Sequence, residues 1–379
     1  AFSMSDYNGG PIDEAYVKQR SRNEPLVEIT QAKATSETHP FLSKNDEWAS
    51  FEAATNLPGE KVLSNLKGSY VRDAYLRGLR LEEQGISNPY KFGVVGSSDT
   101  HVGGGSFTEE THFSKIGLLD GEPYLRGSVP YRGIYGFFTK LLRPEAIIEI
   151  DEKNYLGVST RLITFGSSGL AGVWAEENTR ESIYSAFRRK ETFGTSGPRI
   201  KVRFFAGFNL EELTLKDPDL IKRAYLNNVP MGGTLLQENN RAPRFLIWAI
   251  SDPSGAPLQR VQVIKGWLEE GTHMEKVFDV ACSDGQIVDP RTNRCPDNGA
   301  AVNLDDCSIS SQKGDMEIKT FWKDPDFRNG QEAFYYARVL ENPTCRWSTW
   351  DAIRANESPR SDIPTTIQER AWSSAIWYK

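Results

Sequence analysis

The stretch Phe92-Gly93-Val94-Val95-Gly96-Ser97-Ser98-Asp99-Thr100-His101, followed by Gly103-Gly104-Gly105, decides how the first half of the chain is read. Its leading residues form a continuous apolar run, the pattern of a strand buried on both faces. A carboxylate and an imidazole then stand just past the strand's C-terminal end, where the loops of an α/β barrel carry its active site. Two residues apart in extended backbone, Asp99 and His101 point to one side. Such a pair suits a hard or borderline divalent cation. The glycines beyond it admit close backbone approach or a tight turn. The plainer alternative is an aspartate capping a turn and a hydrogen-bonded core histidine.

Working outward, Leu26-Val27-Glu28-Ile29 reads as a short strand, and 69–84 carries Val71, Ala74, Tyr75 and Leu79 at helical spacing before Asn88-Pro89 stops it. Segments 146–150 and 161–165 read as further apolar strands. Asn178 with Glu181 resembles a capping box opening a helix that carries Ile183, Ala186 and Phe187. This alternation predicts parallel α/β architecture over 1–197. Beyond Ser196-Gly197-Pro198 the period changes to two, with Ile200, Val202 and Phe204 alternating against Lys201 and Arg203. Strands are expected at 244–250, 260–268, 274–280, 316–322 and 333–340, separated by turn signals such as Ser283-Asp284-Gly285. Residues 198–379 therefore read as an all-β, sandwich-like domain.

Composition narrows the function. The 379 residues carry 45 Lys and Arg against 51 Asp and Glu, a net charge of −6. That balance disfavours sequence-independent binding to nucleic acid, which needs a basic surface. No apolar run approaches the length of a membrane span. No phosphate-cradling P-loop, no dinucleotide fingerprint and no H-E-x-x-H motif is present. The loop-like opening, with Asn8-Gly9-Gly10-Pro11, leads us to expect further sequence upstream.

The four cysteines, Cys282, Cys295, Cys307 and Cys345, all lie in the last hundred residues and lack zinc-ribbon spacing. Two disulfides, Cys282 with Cys295 and Cys307 with Cys345, are the favoured reading, and they would place the protein in the periplasm or outside the cell. Four buried thiols are the alternative.

Among other candidates, Glu28 lies inside an apolar strand, where a buried carboxylate needs a metal or a basic partner. His39 follows in a loop, as metal ligand or as exposed histidine. His112 could line the same mouth or be structural. Arg180, Arg188, Arg189 and Arg199 cluster around the domain junction and could hold a phosphate or carboxylate, or form a solvated face. The C-terminal tryptophans Trp347, Trp350, Trp372 and Trp377 read as core.

Three motifs carry a likeness across essentially the whole chain. The stretch 94–101, the stretch Gly169-Leu170-Ala171-Gly172-Val173-Trp174-Ala175-Glu176-Glu177-Asn178-Thr179-Arg180, and Thr195-Ser196-Gly197-Pro198-Arg199-Ile200 resemble a family known as domain of unknown function 3604. The closing Cys345-Arg346-Trp347-Ser348-Thr349-Trp350 is similar to that family's ending. The family looks like a distant branch of the polymerase-and-histidinol-phosphatase (PHP) metal-dependent hydrolases. The resemblance implies an incomplete PHP-like distorted β/α barrel followed by the β domain, with this chain as the C-terminal part of a longer member. It implies that Asp99 and His101 match the superfamily's last metal-ligand motif, and that Glu28 and His39 match it more loosely. An H-x-H pair, with which such proteins begin, is absent here. The implied cofactors are divalent ions such as zinc, manganese or iron, and the implied substrate is a small phosphoester, with Arg199 or Arg180 stabilising charge on the phosphate. The alternative is a non-enzymatic module for carbohydrate or cell envelope on an inert scaffold.

Overall fold

A computed structural model describes residues 2–53, 66–238 and 241–379. The chain opens with helix α1 (Glu14–Asn23), whose first turn is capped by the Asp13 carboxylate accepting from the Tyr16 amide. Strands β1 (Leu26–Gln31) and β2 (Ala34–Thr35), helix α2 (Val71–Glu83) and strand β3 (Gly93–Gly96) follow. Next come α3 (Pro123–Arg126), α4 (Gly133–Leu142), the hairpin β4 (Ile147–Ile150) and β5 (Lys153–Leu156), α5 (Ser159–Leu162), β6 (Leu170–Val173), α6 (Arg180–Arg189) and β7 (Thr192–Thr195). The rest is mostly strand: β8 (Lys201–Gly207), α7 (Leu220–Asn227), β9 (Val229–Pro230), β10 (Thr234–Leu235), β11 (Arg244–Ile250), β12 (Leu258–Glu269), β13 (Thr272–Cys282), β14 (Glu317–Lys323), β15 (Ala333–Glu341) and β16 (Thr344–Cys345). Helix α8 (Trp347–Arg354) and strands β17 (Thr366–Ile367), β18 (Arg370–Ser373) and β19 (Ile376–Tyr378) close it.

The expected βαβ unit forms. β1 and β3 pair in parallel, Val27 opposite Val94, with α2 between them in sequence. The expected strands of the second half form too, in antiparallel pairs. Three details differ. Segment 161–165 is not a strand: α5 and a turn occupy it, because a short apolar run does not by itself distinguish strand from helix. The 146–150 strand is a half-exposed hairpin arm and not a buried parallel strand. The cap of α6 is Thr179, whose side chain accepts from the Ser182 amide, and not Asn178.

Among the described residues the sheets are β2-β1-β3, an eight-stranded sheet, the sheet β14-β11-β8-β9, the hairpin β4-β5 and the pair β16-β17, which brackets α8; none closes into the barrel that the resemblance implies. The large sheet takes β6 and β7 from before residue 197 and the remaining strands from after it. Its strand β15, paired to β12 on one side and to β18 and β19 on the other, is buried along its whole length. Side chains alternate across a strand, so β15 serves two cores. Phe334 and Tyr336 join Tyr75, Phe92 and Trp377 beside α2. Tyr335, Ala337 and Val339 meet Phe204, Phe245, Ile247 and Ile318 of the other antiparallel sheet. The large sheet is therefore a middle layer. Trp347, Trp372 and Trp377 are core residues, as expected, whereas Trp350 is only half-buried.

Two further features tie the N-terminal segment to this layer. Buried Arg72 and Arg338 share Glu37 and Asp46: Arg72 reaches Glu37 at 2.7 Å and Asp46 at 2.8 Å, and Arg338 reaches Glu37 at 3.0 Å and Asp46 at 2.7 Å. Tyr336 donates to Glu37 at 2.7 Å. Against the cost of burial, the two guanidiniums hold Asp46 well below the usual carboxylate range. Secondly, β3 lies so close to β6 and β7 that a Cβ on Gly96 would sit 2.6 Å from the Thr195 carbonyl oxygen and 2.7 Å from that of Leu170. The glycine noted in sequence at the strand's end is required by its neighbours' backbone.

Both disulfides form as paired from sequence, Cys282–Cys295 and Cys307–Cys345.

Candidate functional site

In the loop after β3 the backbone is not extended: the Asp99 carboxylate turns to Lys115, and the His101 imidazole turns to the Asp99 main-chain carbonyl. Asp99 sits in the left-handed region at φ 45°, which Asp tolerates better than most residues. Its side chain accepts from Lys115 Nζ at 2.7 Å, and the same ammonium donates to the Asp99 carbonyl at 2.6 Å. Lys115 is buried; Asp99 is exposed. Against partial burial, the hydrogen bond and charge of Lys115, then the charge of Lys33, hold the Asp99 carboxyl below its ordinary range. His101 Nδ1 lies 3.0 Å from the Asp99 carbonyl oxygen. An Nδ1–H donated there leaves the Nε2 lone pair open, the usual arrangement of a histidine prepared for a metal. The His101 amide donates to the Lys115 carbonyl at 2.8 Å, so two chain segments set the imidazole.

The other expected residues stand elsewhere. Glu28 is half-exposed, not buried, because Ile29 takes the core side of β1. Its carboxylate accepts from Gln31 Nε2 at 2.9 Å. His39 accepts the Phe41 amide at Nδ1 and stacks on Phe41 at 5.3 Å. Carboxylate and imidazole are donor types that divalent ions accept, and here the Asp99 carboxylate is paired with the Lys115 ammonium. Among the described residues, no group of three or more His, Cys, Asp or Glu could hold such an ion, so Glu28 and His39 do not join the pair. His112 is buried against Trp347, ring centroids 4.5 Å apart. Burial, then the charges of Arg126 and Arg346, push its pKa down to about 3.

The arginines are dispersed as well. Arg188 donates to the Arg22 carbonyl, Arg189 pairs with Glu176 and Glu191, and Arg180 lies in the first turn of α6. Arg199 lines a separate cavity of about 430 Å³ with Glu109, Asp252, Glu341, Glu369 and Trp350. Sequence reading missed these carboxyls, which are spread over some 260 residues of chain. One signal was present in the sequence: Glu341 directly follows the expected strand 333–340, whose near-continuous apolar run Ala333-Phe334-Tyr335-Tyr336-Ala337 points to burial, and a buried acid asks for a partner.

In that cavity the buried acids are unevenly bonded. Glu109 Oε2 accepts the Trp347 amide at 2.7 Å, and Glu369 is bonded by the hydroxyls of Ser196 and Ser167. Glu109 Oε1 and Glu341 Oε1 have no donor. Burial raises all three carboxyls, that of Glu341 to about 8. Nearby, Arg346 clamps Glu52 in a bidentate pair at 2.7 and 2.9 Å.

Comparison with known proteins gives one family. A model described as "Protein of unknown function (DUF3604)" matches residues 1–379, and the chain belongs to that family. No curated protein and no solved structure matches it.

Proposed function

We propose that this member of the family takes part in metal-dependent hydrolysis of a phosphoester, with the loop after β3 at the reaction site. The reading rests on the family's likeness to the PHP hydrolases, which is an argument by association, and on one structural observation. Asp99 and His101 stand together past the C-terminal end of a parallel strand, the imidazole steadied through Nδ1 and the carboxylate kept charged by Lys115. In this proposal β1, α2 and β3 are the part of the chain that fits a PHP-like distorted barrel, and the remaining ligands come from elsewhere in the protein.

Asp99 and His101 would hold the ion, which when bound lowers the pKa of a water and polarises the ester oxygen. Lys115 orders Asp99 through two hydrogen bonds and brings positive charge to the loop; Lys33 adds more from β1's end. Positive charge fixed in advance stabilises negative charge that develops on a phosphoryl group. The open glycines Gly103 and Gly104, with nothing near their Cβ positions, leave room for a substrate. The two disulfides favour an oxidising compartment, and we place the protein in the periplasm or outside the cell.

The test is metal content and hydrolysis of bis(p-nitrophenyl) phosphate by the purified protein with its native disulfides. Asp99→Ala and His101→Ala should each lose bound zinc, manganese or iron and about 100-fold or more in rate. Hydrolysis at the wild-type level in His101→Ala sinks the assignment. A protein without metal whose carbohydrate binding is unchanged by Asp99→Ala would be a binding module instead.

A further inference from the structure

The cavity that holds Arg199 is separate in its chemistry from the β3 loop, and it has the features of a built site. Five acids line it, Glu109, Glu110, Asp252, Glu341 and Glu369, against the single cation Arg199. Two are buried and incompletely bonded: Glu109 is 5% exposed and Glu341 1% exposed, and each has an Oε1 with no donor. A buried acceptor left unmatched costs about 1–3 kcal/mol. The neighbouring groups relieve it only in part: the charge of Arg346 acts on Glu109 without bonding its Oε1. The Asp252 carboxylate is already occupied by the backbone amides of Arg199 and Ser254, at 2.7 and 2.9 Å. Glu369 is occupied by serine hydroxyls.

We infer that this cavity binds a small organic cation, a compound with a primary ammonium group on a short alkyl chain. Acids that lack donors call for a ligand that brings N–H groups, and an ammonium brings three with a compensating charge. The described acids do not gather into a group able to hold a metal ion, which favours a ligand long enough to reach separated carboxyls. Trp350 and Phe107 line the same cavity and offer apolar surface and an aromatic face to an alkylammonium. The volume of about 430 Å³ lies in the range of small-molecule sites. Entry of the cation makes the ionised carboxylates the favoured form, so carboxyls that were neutral release their protons to solvent as the ammonium takes the vacated hydrogen-bonding positions. No covalent step is involved.

The experiment is isothermal titration calorimetry of 1,4-diaminobutane into the full chain at pH 7, in two buffers of different ionisation enthalpy, with 1,4-butanediol as the neutral control. The expected result is saturable binding of the diamine, release of protons, and no binding of the diol. Glu341→Gln should weaken diamine binding about tenfold or more, the equivalent of about 1.4 kcal/mol. Glu109→Gln is the second variant, and circular dichroism establishes that both are folded. Absence of diamine binding at millimolar concentration, equal binding of the diol, or unchanged affinity in both folded variants would each overturn the assignment. Hydrolysis at the β3 loop is a separate readout, so failure of either proposal leaves the other standing.

Discussion

Glu341→Gln should make the protein more stable at pH 8 and remove part of its pH dependence. Glu341 ends the central strand β15, and one of its oxygens has no donor. Burial, with a smaller contribution from Asp252, raises its carboxyl from 4.5 to about 8. The other charged groups lining the cavity are Glu109, Glu110, Glu369 and Arg199. The sign follows from proton binding. Between pH 4.5 and about 8 the folded protein holds a proton that the unfolded chain has lost, so stability falls as pH rises through this window. The contribution is full below pH 4.5 and lost above about 8. The shift corresponds to about 5 kcal/mol, an upper bound because local rearrangement and water entry reduce it. Glutamine keeps the shape and cannot ionise. In urea unfolding, wild type and variant should be alike near pH 4.5 and diverge by about 2–5 kcal/mol at pH 8, the variant being the more stable. Parallel pH profiles for the two proteins would refute the reasoning, since they would mean that Glu341 titrates as an ordinary carboxyl.

Arg338→Met should cost about 3–5 kcal/mol in the same unfolding assay, because Glu37 and Asp46 would stay buried with half their positive charge removed; a loss below about 1 kcal/mol would mean the network does not hold the layers. Gly96→Ala should lower stability by about 1–3 kcal/mol through contact with the Thr195 and Leu170 carbonyls, whereas Gly103→Ala, with open space around it, should leave the melting temperature almost unchanged. Replacing Cys307 and Cys345 by serine opens a loop of 38 residues and should cost about 4 kcal/mol, against about 3 kcal/mol for Cys282 and Cys295, separated by 13. Thermal melts of the two double variants check the order.

Much of the local structure was legible because it is written in periods and caps. The two-residue alternation around Val202 and Phe204 and the apolar run 333–340 become β8 and β15. The spacing of Val71, Ala74, Tyr75 and Leu79 becomes α2. The even cysteine count and loop lengths pointed to the two bridges that form. The Asp99–His101 pair was legible because both residues lie on one short loop, although its geometry depends on Lys115, sixteen residues further on.

Segment 161–165 shows where local pattern runs out: it is apolar enough for a strand, and only its neighbours make it a helix end and a turn. The same holds for the partners of charge. Nothing near Glu37 or Asp46 in sequence announces Arg338, some three hundred residues away, and nothing near Glu109 announces Glu341 and Glu369. Short-range preferences determine helices, strands and turns, because they act through each residue's own backbone and nearest neighbours. Which acid meets a guanidinium and which is left facing an open cavity is set by long-range packing of the layers, and that was decided only by the tertiary structure.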